Sequence, residues 1–266
     1  MSQAILNRHF EIWQRKPLLR AIYKGWYEEL CRWLVPGKTL EVGGGSGNFK
    51  EAVPQVITTD LVHLPWLDAI VDAQHLPFKV ATFDNILIFD VLHHMENPVL
   101  FFQEALRILK PGGRVIIMEP YVSWASYPVY RFLHPEPLDL SVDPFQIISR
   151  QTVRAPFDAN QGIPTLMLER QWTRFRSFFP GFQKIYRKWT GFILYPLSGG
   201  FDHPTLIPEC WYGPLGRLEG YLAYLGRFLA FRFIVVLEKQ DTLASRLTNQ
   251  KPTCSNPPHE EVGVLL

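Results

Sequence analysis

Between Thr39 and Pro120 the chain alternates short apolar runs with polar, glycine-containing gaps. The runs are "KTLEVG", "VITTD", "DAIVDA", "FDNILIFD" and "GRVIIMEP". Apolar runs of this length, rich in β-branched residues and bounded by turn formers, read as buried strands. The first is followed by "SGNFKEAV", which opens a helix after the glycines. Between the last two, "PVLFFQEALRILKPGG" puts Leu100, Phe101, Ala105, Ile108 and Leu109 on one helical face, and Pro111-Gly112-Gly113 end the helix. Upstream, residues 1–34 carry Ile22, Trp26, Leu30 and Trp33 at helical spacing, with Pro36 and Gly37 as the stop. Strands alternating with helices predict an α/β fold, a parallel sheet with helices on both faces. Ligands of such sheets collect at the carboxyl ends of the strands. Asp60, Asp72, Asp90 and Glu119 all fall there, and charged groups are costly at such positions unless they meet solvent or a ligand.

From Tyr121 to Pro164 the pattern breaks into a proline-rich, aromatic, irregular segment, too long for an ordinary connection. Its aromatics argue against disorder. "TLMLERQWTRFRSFF" then reads as helical, "GFQKIYRKW" as a strand and "FRFIVVLEK" as a closing strand. The expected organisation is an N-terminal helical segment at 1–38, a main domain at 39–239 with a cap inserted at about 121–190, and a polar, mobile tail at 240–266.

Composition narrows the function without fixing it. The 266 residues are 47% hydrophobic and 20% charged, ordinary for one globular core. Three scattered cysteines, Cys31, Cys210 and Cys254, lack metal-ligand spacing and suit a reducing, cytoplasmic setting; no metal site is expected. The first residues hold no secretory apolar core. In the most apolar stretch, Tyr221 to Leu237, ten large aliphatic or phenylalanine residues contribute roughly −3 to −6 kcal/mol on an insertion scale, and Arg227 and Arg232 cancel it at about 5 to 7 kcal/mol. No transmembrane helix is predicted.

The glycine loop, Gly43 to Gly47, fits no phosphate motif. The Walker loop needs a lysine that does not follow, and the dinucleotide register Gly-x-Gly-x-x-Gly fails at Asn48 or at Ser46. That failure argues against the rival reading, a nicotinamide-dependent oxidoreductase. What fits is Gly43-x-Gly45-x-Gly47 with Glu41 two residues ahead. Together with "DAQHLPF", "FDNILIFDVLHHM" and "LKPGGRVIIMEP", in that order, "LEVGGGSGNF" resembles the class I S-adenosylmethionine-dependent methyltransferases. Within these, the similarity is to the small-molecule group with a type 11 domain that includes the quinone-biosynthesis methyltransferases. The resemblance spans roughly Thr39 to Pro120, about a third of the chain.

It implies a Rossmann-like class I methyltransferase sheet with S-adenosylmethionine as cofactor. By the resemblance, Glu41 orients the loop and the methionyl amine, and Gly43, Gly45 and Gly47 let the cofactor lie against bare backbone. Asp60 takes both ribose hydroxyls, Asp72 receives the adenine amine with Ala73 offering backbone to the ring, and Asp90 lies near the methionyl ammonium. One departure stands out. Only twelve residues separate Asp60 from Asp72, so the helix that relatives carry after the second strand is reduced to a turn. Leu64 or Trp66 is then the expected apolar cover for the adenine.

Transfer of a sulfonium methyl needs mostly alignment, which can supply about 7 to 11 kcal/mol. A general base matters only for an acceptor that enters protonated. Because histidine as a residue type titrates near neutrality, His93 and His94 of "DVLHHM" are the candidate catalytic residues. Tyr121, His134 and Glu136 are candidate acceptor-binding residues, and "DANQ", Asp158 to Gln161, reads as a loop-stabilising element, with hydrogen bonding to the substrate as the alternative. From Arg170 to Trp189 stand six basic residues, seven aromatics and no acid, which suits peripheral membrane contact or a lipid-like acceptor. No nucleic-acid recognition module accompanies them. The resulting expectation is methyl transfer to a small, apolar acceptor. The contrary reading is a non-catalytic cofactor-binding or membrane-associated protein.

Overall fold

A computed structural model describes residues 2–147 and 158–241. Two helices open the chain, α1 (Ser2–Arg15) and α2 (Pro17–Cys31). The strands are β1 (Thr39–Val42), β2 (Ile57–Asp60), β3 (Ala69–Ile70), β4 (Phe83–Phe89) and β5 (Leu109–Pro120), with α3 (Pro98–Ile108) between the last two. After β5 come α4 (Ser126–Phe132), a short turn α5 (Ile163–Thr165) that continues as a π-helical turn to Arg170, and α6 (Trp172–Phe178). Next are β6 (Phe182–Thr190), α7 (Leu194–Ser198), α8 (Tyr212–Leu222), α9 (Gly226–Leu229) and β7 (Arg232–Lys239).

All seven strands form one sheet in the order β3-β2-β1-β4-β5-β7-β6. The first five run parallel, and β7 lies antiparallel between β5 and β6. Alternation along the central strands sorts the core into two layers. Ile86, Ile88, Val115 and Ile117 meet Phe101, Phe102, Ala105 and Ile108 of α3, with Phe175, Phe179 and Phe182 beyond. The opposite face, Leu87, Ile116 and Met118, packs on Trp13 of α1 and on Tyr23, Trp26 and Leu30 of α2. The order reverses direction between β1 and β4, the switch point where open α/β sheets bind ligands.

Several elements differ from the sequence reading. The single N-terminal helix is two, because Pro17 has no amide hydrogen to donate and instead starts α2. Both helices pack on the sheet. The helix after the glycine loop is only a 3₁₀ turn, Asn48–Glu51: Pro54 disfavours helical backbone at Val53, and the chain must reach β2 by Ile57. The third strand shrinks to two residues, since Asp72 turns the chain by accepting the Gln74 amide at 2.9 Å. Helix α3 ends at Ile108, before the expected Pro-Gly-Gly stop, and β5 begins at once. The expected cap boundary at residue 190 also shifts, because β6 belongs to the sheet, and a second excursion, residues 191–231, follows it.

Much of the aromatic, basic stretch from Arg170 to Trp189 is tied into the fold, while Arg170, Arg176 and Phe178 stay exposed. Phe175, Phe179 and Phe182 are core. Tyr186 stacks on Trp33 and donates to Glu29. Lys184 and Arg187 pair with Glu169, Lys188 with Glu29, and Arg174 with Asp143. Tyr221 to Leu237 splits between the α8–α9 excursion and β7, and no described helix is long and apolar enough to cross a membrane. Of the expected tail, residues 242–266 lie outside the described residues.

Candidate functional site

The carboxyl ends of the strands open into one cavity of about 1130 Å³. Pockets for a single drug-sized ligand run to roughly 300–1,000 Å³, so there is room for two ligands. Its lining falls into two chemically distinct sets, called here its two ends, which adjoin where Val91 meets Gly43 and Asp90 approaches His93.

At one end lies the glycine loop. Gly43, Gly45 and Gly47 all have positive φ (73°, 49° and 73°). A Cβ on Gly43 would lie 2.3 Å from a Val91 methyl carbon, so both conformation and space demand glycine. Asp60 holds the loop by accepting the Gly45 amide at 3.0 Å and, with its other oxygen, the Val62 amide at 3.1 Å. Burial nonetheless pushes its carboxyl above the usual range. Glu41, at the end of β1, is 4% exposed, and its Oε2 has no hydrogen-bond partner among the described residues. Burial, and then the nearby Asp60 charge, raise its pKa to about 8. Asp72 and Ala73 line the same end. There burial raises the Asp72 pKa, but hydrogen bonds from Gln74 and His75 outweigh it and leave the group more acidic than usual.

Leu64 and Trp66 do not cover this end. The Trp66 indole donates to the Gly45 carbonyl at 2.9 Å, its ring sits where a Gly47 Cβ would be, and it stacks on Phe10. Leu61 and Val62 line the cavity instead. Asp90 is reached by expectation but is already paired: it sits at φ 59°, a strained conformation for a residue with a side chain, and bonds Arg232. That arginine is 3% exposed and lies against Trp26, Phe89 and Tyr195. Burial lowers its pKa to about 10.

At the other end the histidines gather. Glu119, fully buried at the end of β5, accepts the Val91 and Leu92 amides at 2.7 Å each through one oxygen and touches His93 Nδ1 at 2.6 Å through the other. His93 Nε2 faces Glu136 at 3.3 Å, and His94 Nε2 faces it at 3.6 Å. Gln161 also donates to Glu136, and the Asn160 amide bonds the His93 carbonyl at 2.8 Å. These bonds tie the inserted segment to the site, and Gln161 also lines the cavity. Burial opposes the His93 charge, but Glu119 and then Glu136 overcome it and raise its pKa to about 9. Burial likewise opposes the Glu136 charge; His93 foremost, then His94 and His134, bring its pKa down to about 2. His93, His94 and Glu136 stand close enough to surround a cation, yet hydrogen bonds and charge among themselves already account for the cluster.

His134 lines the cavity beside Glu136. Tyr121 does not: its ring turns into the core against Trp189 and Phe233, because its place directly after β5 points it into the layer beneath the sheet. Residues missed from sequence complete the wall. Ile5, Leu6, Arg8 and His9 of α1 line it, as does the loop from Gly199 to His203. Periodicity could have marked α1 as amphipathic but not what its faces meet.

The chain matches the methyltransferase domain family over residues 40–117. An uncharacterised protein of Methanocaldococcus jannaschii is 38% identical over 104 residues, 36% of this chain and 51% of that one. A ubiquinone/menaquinone biosynthesis C-methyltransferase of a Ruegeria species is 28% identical over 125 residues (37% and 49%). Norajmaline N-methyltransferase of Rauvolfia serpentina is 27% identical over 150 residues (52% and 48%). The chain thus spans about half the length of the curated relatives it matches. A crystallised S-adenosylmethionine-dependent methyltransferase of Thermotoga maritima shares the fold, at TM-score 0.52 and 16% identity over 90% of this chain and 99% of that one. Sheet order, glycine loop and these matches together identify the chain's central unit as a class I S-adenosylmethionine-dependent methyltransferase domain.

Proposed function

We propose that the protein transfers a methyl group from S-adenosylmethionine to a small, apolar acceptor held at the histidine end of the cavity. The carrying observation is that one cavity joins a side-chain-free glycine cradle to a buried cluster of imidazoles and carboxylates. The residues present fit the cofactor. Glu41 Oε2 is a buried acceptor without a partner among the described residues, suited to an ammonium, and the loop leaves bare backbone where a Cβ would intrude. Asp60 has lone pairs left for the ribose hydroxyls beyond its two amide bonds. Asp72 and the Ala73 backbone would hold the adenine, with Leu61 and Val62 beside it. When bound, the cofactor supplies a methyl already activated by its sulfonium.

The chain's own residues then orient the acceptor and manage its proton. His93 is a poor base, because Glu119 and Glu136 keep it protonated at neutral pH. It serves as a fixed positive group that anchors Glu136. His94, on the cavity wall and next to that carboxylate, is the group placed to receive a proton from an O–H or N–H acceptor. The apolar residues Leu6, Val129, Leu133 and Phe231 favour an acceptor with hydrocarbon character.

Two measurements test this. Calorimetry with S-adenosylhomocysteine should show one site per chain, and no binding at high micromolar ligand overturns the cofactor assignment. Incubating the protein with methyl-labelled S-adenosylmethionine and a cell extract should place label in the organic-soluble fraction. Label confined to the aqueous fraction overturns the apolar acceptor.

A further inference from the structure

Two aromatic segments far apart in sequence meet on the surface, and one of them also lines the cavity. One is Trp124 with α4, where Trp124 is 80% exposed and Phe132 74%. The other is α8 to α9, where Tyr221 is 77% and Tyr224 94% exposed. Tyr221, Tyr224, Leu225 and Phe228 are all exposed along the run from the end of α8, through a 3₁₀ turn at Ala223–Leu225, into α9. Trp124 packs edge-on against Phe228 with centroids 5.2 Å apart, and the Ala125 amide donates to the Phe228 carbonyl at 3.1 Å. The two segments are therefore one surface. Its first segment also lines the cavity, through Val129, Tyr130 and the exposed Leu133. A soluble monomer seldom exposes so large an apolar patch without a partner.

The charges around the patch select the partner. Residues 124–133 and 211–229 hold three arginines, Arg131, Arg217 and Arg227, and one acid, Glu219. All three arginines are exposed, and none joins an ion pair among the described residues. Glu219 is turned inward, where it accepts the Ile193 and Leu194 amides at 2.7 and 2.8 Å. Tyrosine and tryptophan among arginines match a bilayer interface, where rings lie at headgroup depth and guanidinium groups meet anionic lipid. A second copy of the chain fits worse, because a two-fold contact through this patch would set arginines against arginines.

We propose that the rim formed by Trp124 to Leu133 and Trp211 to Phe228 docks on an anionic membrane surface, so that the cavity opens toward the bilayer. Delivery of an acceptor from the bilayer rests on the function proposed above; the docking itself does not. Co-sedimentation of the full chain with vesicles of phosphatidylcholine alone, and of phosphatidylcholine mixed with phosphatidylglycerol, tests it. Binding should be at least about tenfold tighter to the mixed vesicles, since each arginine near such a surface is worth about fivefold. The doubly changed Arg217→Glu/Arg227→Glu protein should lose that preference. Phe132→Ser/Tyr224→Ser should weaken binding to the mixed vesicles about tenfold or more. Retained S-adenosylhomocysteine binding shows that these exposed changes leave the fold intact, and its loss in the unaltered chain would strike the function, not the docking. The docking is overturned if neither vesicle binds the chain, if both variants sediment like the unaltered protein, or if light scattering shows a dimer that Phe132→Ser/Tyr224→Ser dissociates while vesicles bind nothing.

Discussion

The two ends of the cavity are built by opposite means. At the glycine end the backbone is the surface, and the acids that shape it sit at the ends of neighbouring strands: Glu41 on β1, Asp60 on β2, Asp72 after β3. At the histidine end, side chains make the surface and come from three separate places, the turn after β4, the end of β5 and the inserted segment. A backbone-built site depends on conformation, and its failures should appear in cofactor affinity. A side-chain cluster depends on charge balance, and its failures should appear in pH dependence and in transfer.

The sharpest test of that contrast pairs Asp60→Ala with Glu136→Gln. Removing Asp60 unties Gly45 and takes away the acceptor for the ribose hydroxyls. Two hydrogen bonds to a charged group are worth about 3 to 6 kcal/mol together, so S-adenosylhomocysteine affinity should fall at least about 100-fold by calorimetry. Glu136→Gln should leave that affinity within about threefold while lowering methyl transfer by about 10² or more. If the two variants lose cofactor binding equally, the cavity is not divided as described.

Next comes Glu119→Gln. The Glu119–His93 contact at 2.6 Å is wholly buried, and breaking such pairs costs about 3 to 5 kcal/mol. The amide still accepts the Val91 and Leu92 amides, so a loss of about 2 to 3 kcal/mol in urea unfolding is expected. The pH profile carries the diagnosis. With the folded His93 pKa raised to about 9, its contribution is fully present below about pH 6.5 and is lost as pH rises through 9. Stability of the unaltered protein should therefore decline across that window, and the Glu119→Gln profile should be flatter there.

A smaller effect separates strain from clash in the glycine loop. Gly43 and Gly112 share a φ of 73°, but a Cβ at Gly43 meets Val91 at 2.3 Å, whereas at Gly112 it meets nothing within 4 Å. Gly112→Ala should cost about 1 kcal/mol, the left-handed penalty alone. Gly43→Ala should cost about 1 to 3 kcal/mol more, for displacing a packed side chain. Equal losses would mean that Val91 is free to move and that the cradle is loose.

What was legible in sequence follows the same division. The central strands and the glycine loop are local patterns, so alternation and turn chemistry located them, along with Glu41, Asp60 and Asp72. The pairing of His93 with Glu119, 26 residues away, and with Glu136 beyond that, depends on which strands become neighbours, which no local pattern carries. Aromatic composition misled for a related reason. Phe175, Phe179 and Phe182 sit in a basic stretch yet are core, because α6 and β6 pack against α3. Trp124, Tyr221 and Tyr224 look no different in sequence and face outward. Burial is decided by tertiary neighbours, and one chain's residue types do not name them.

The smallest expected effect is a single proton, and it belongs to the cofactor end alone. Glu41 is buried beside Asp60 with its pKa raised to about 8, so at pH 7 it is mostly protonated in the free protein. Because the folded value lies above the usual one near 4.5, the group favours the folded state below that value and progressively less as pH climbs through 8. An ammonium arriving next to Oε2 reverses the balance, since an opposite charge within a few ångströms favours the ionised carboxylate. Cofactor binding at pH 7 should then release close to one proton, seen as a dependence of the calorimetric heat on the ionisation enthalpy of the buffer. Glu41→Gln should abolish that dependence, and Glu136→Gln should leave it intact. A buffer dependence that follows Glu136 instead would place the charged end of the cofactor among the histidines and reverse the assignment of the two ends.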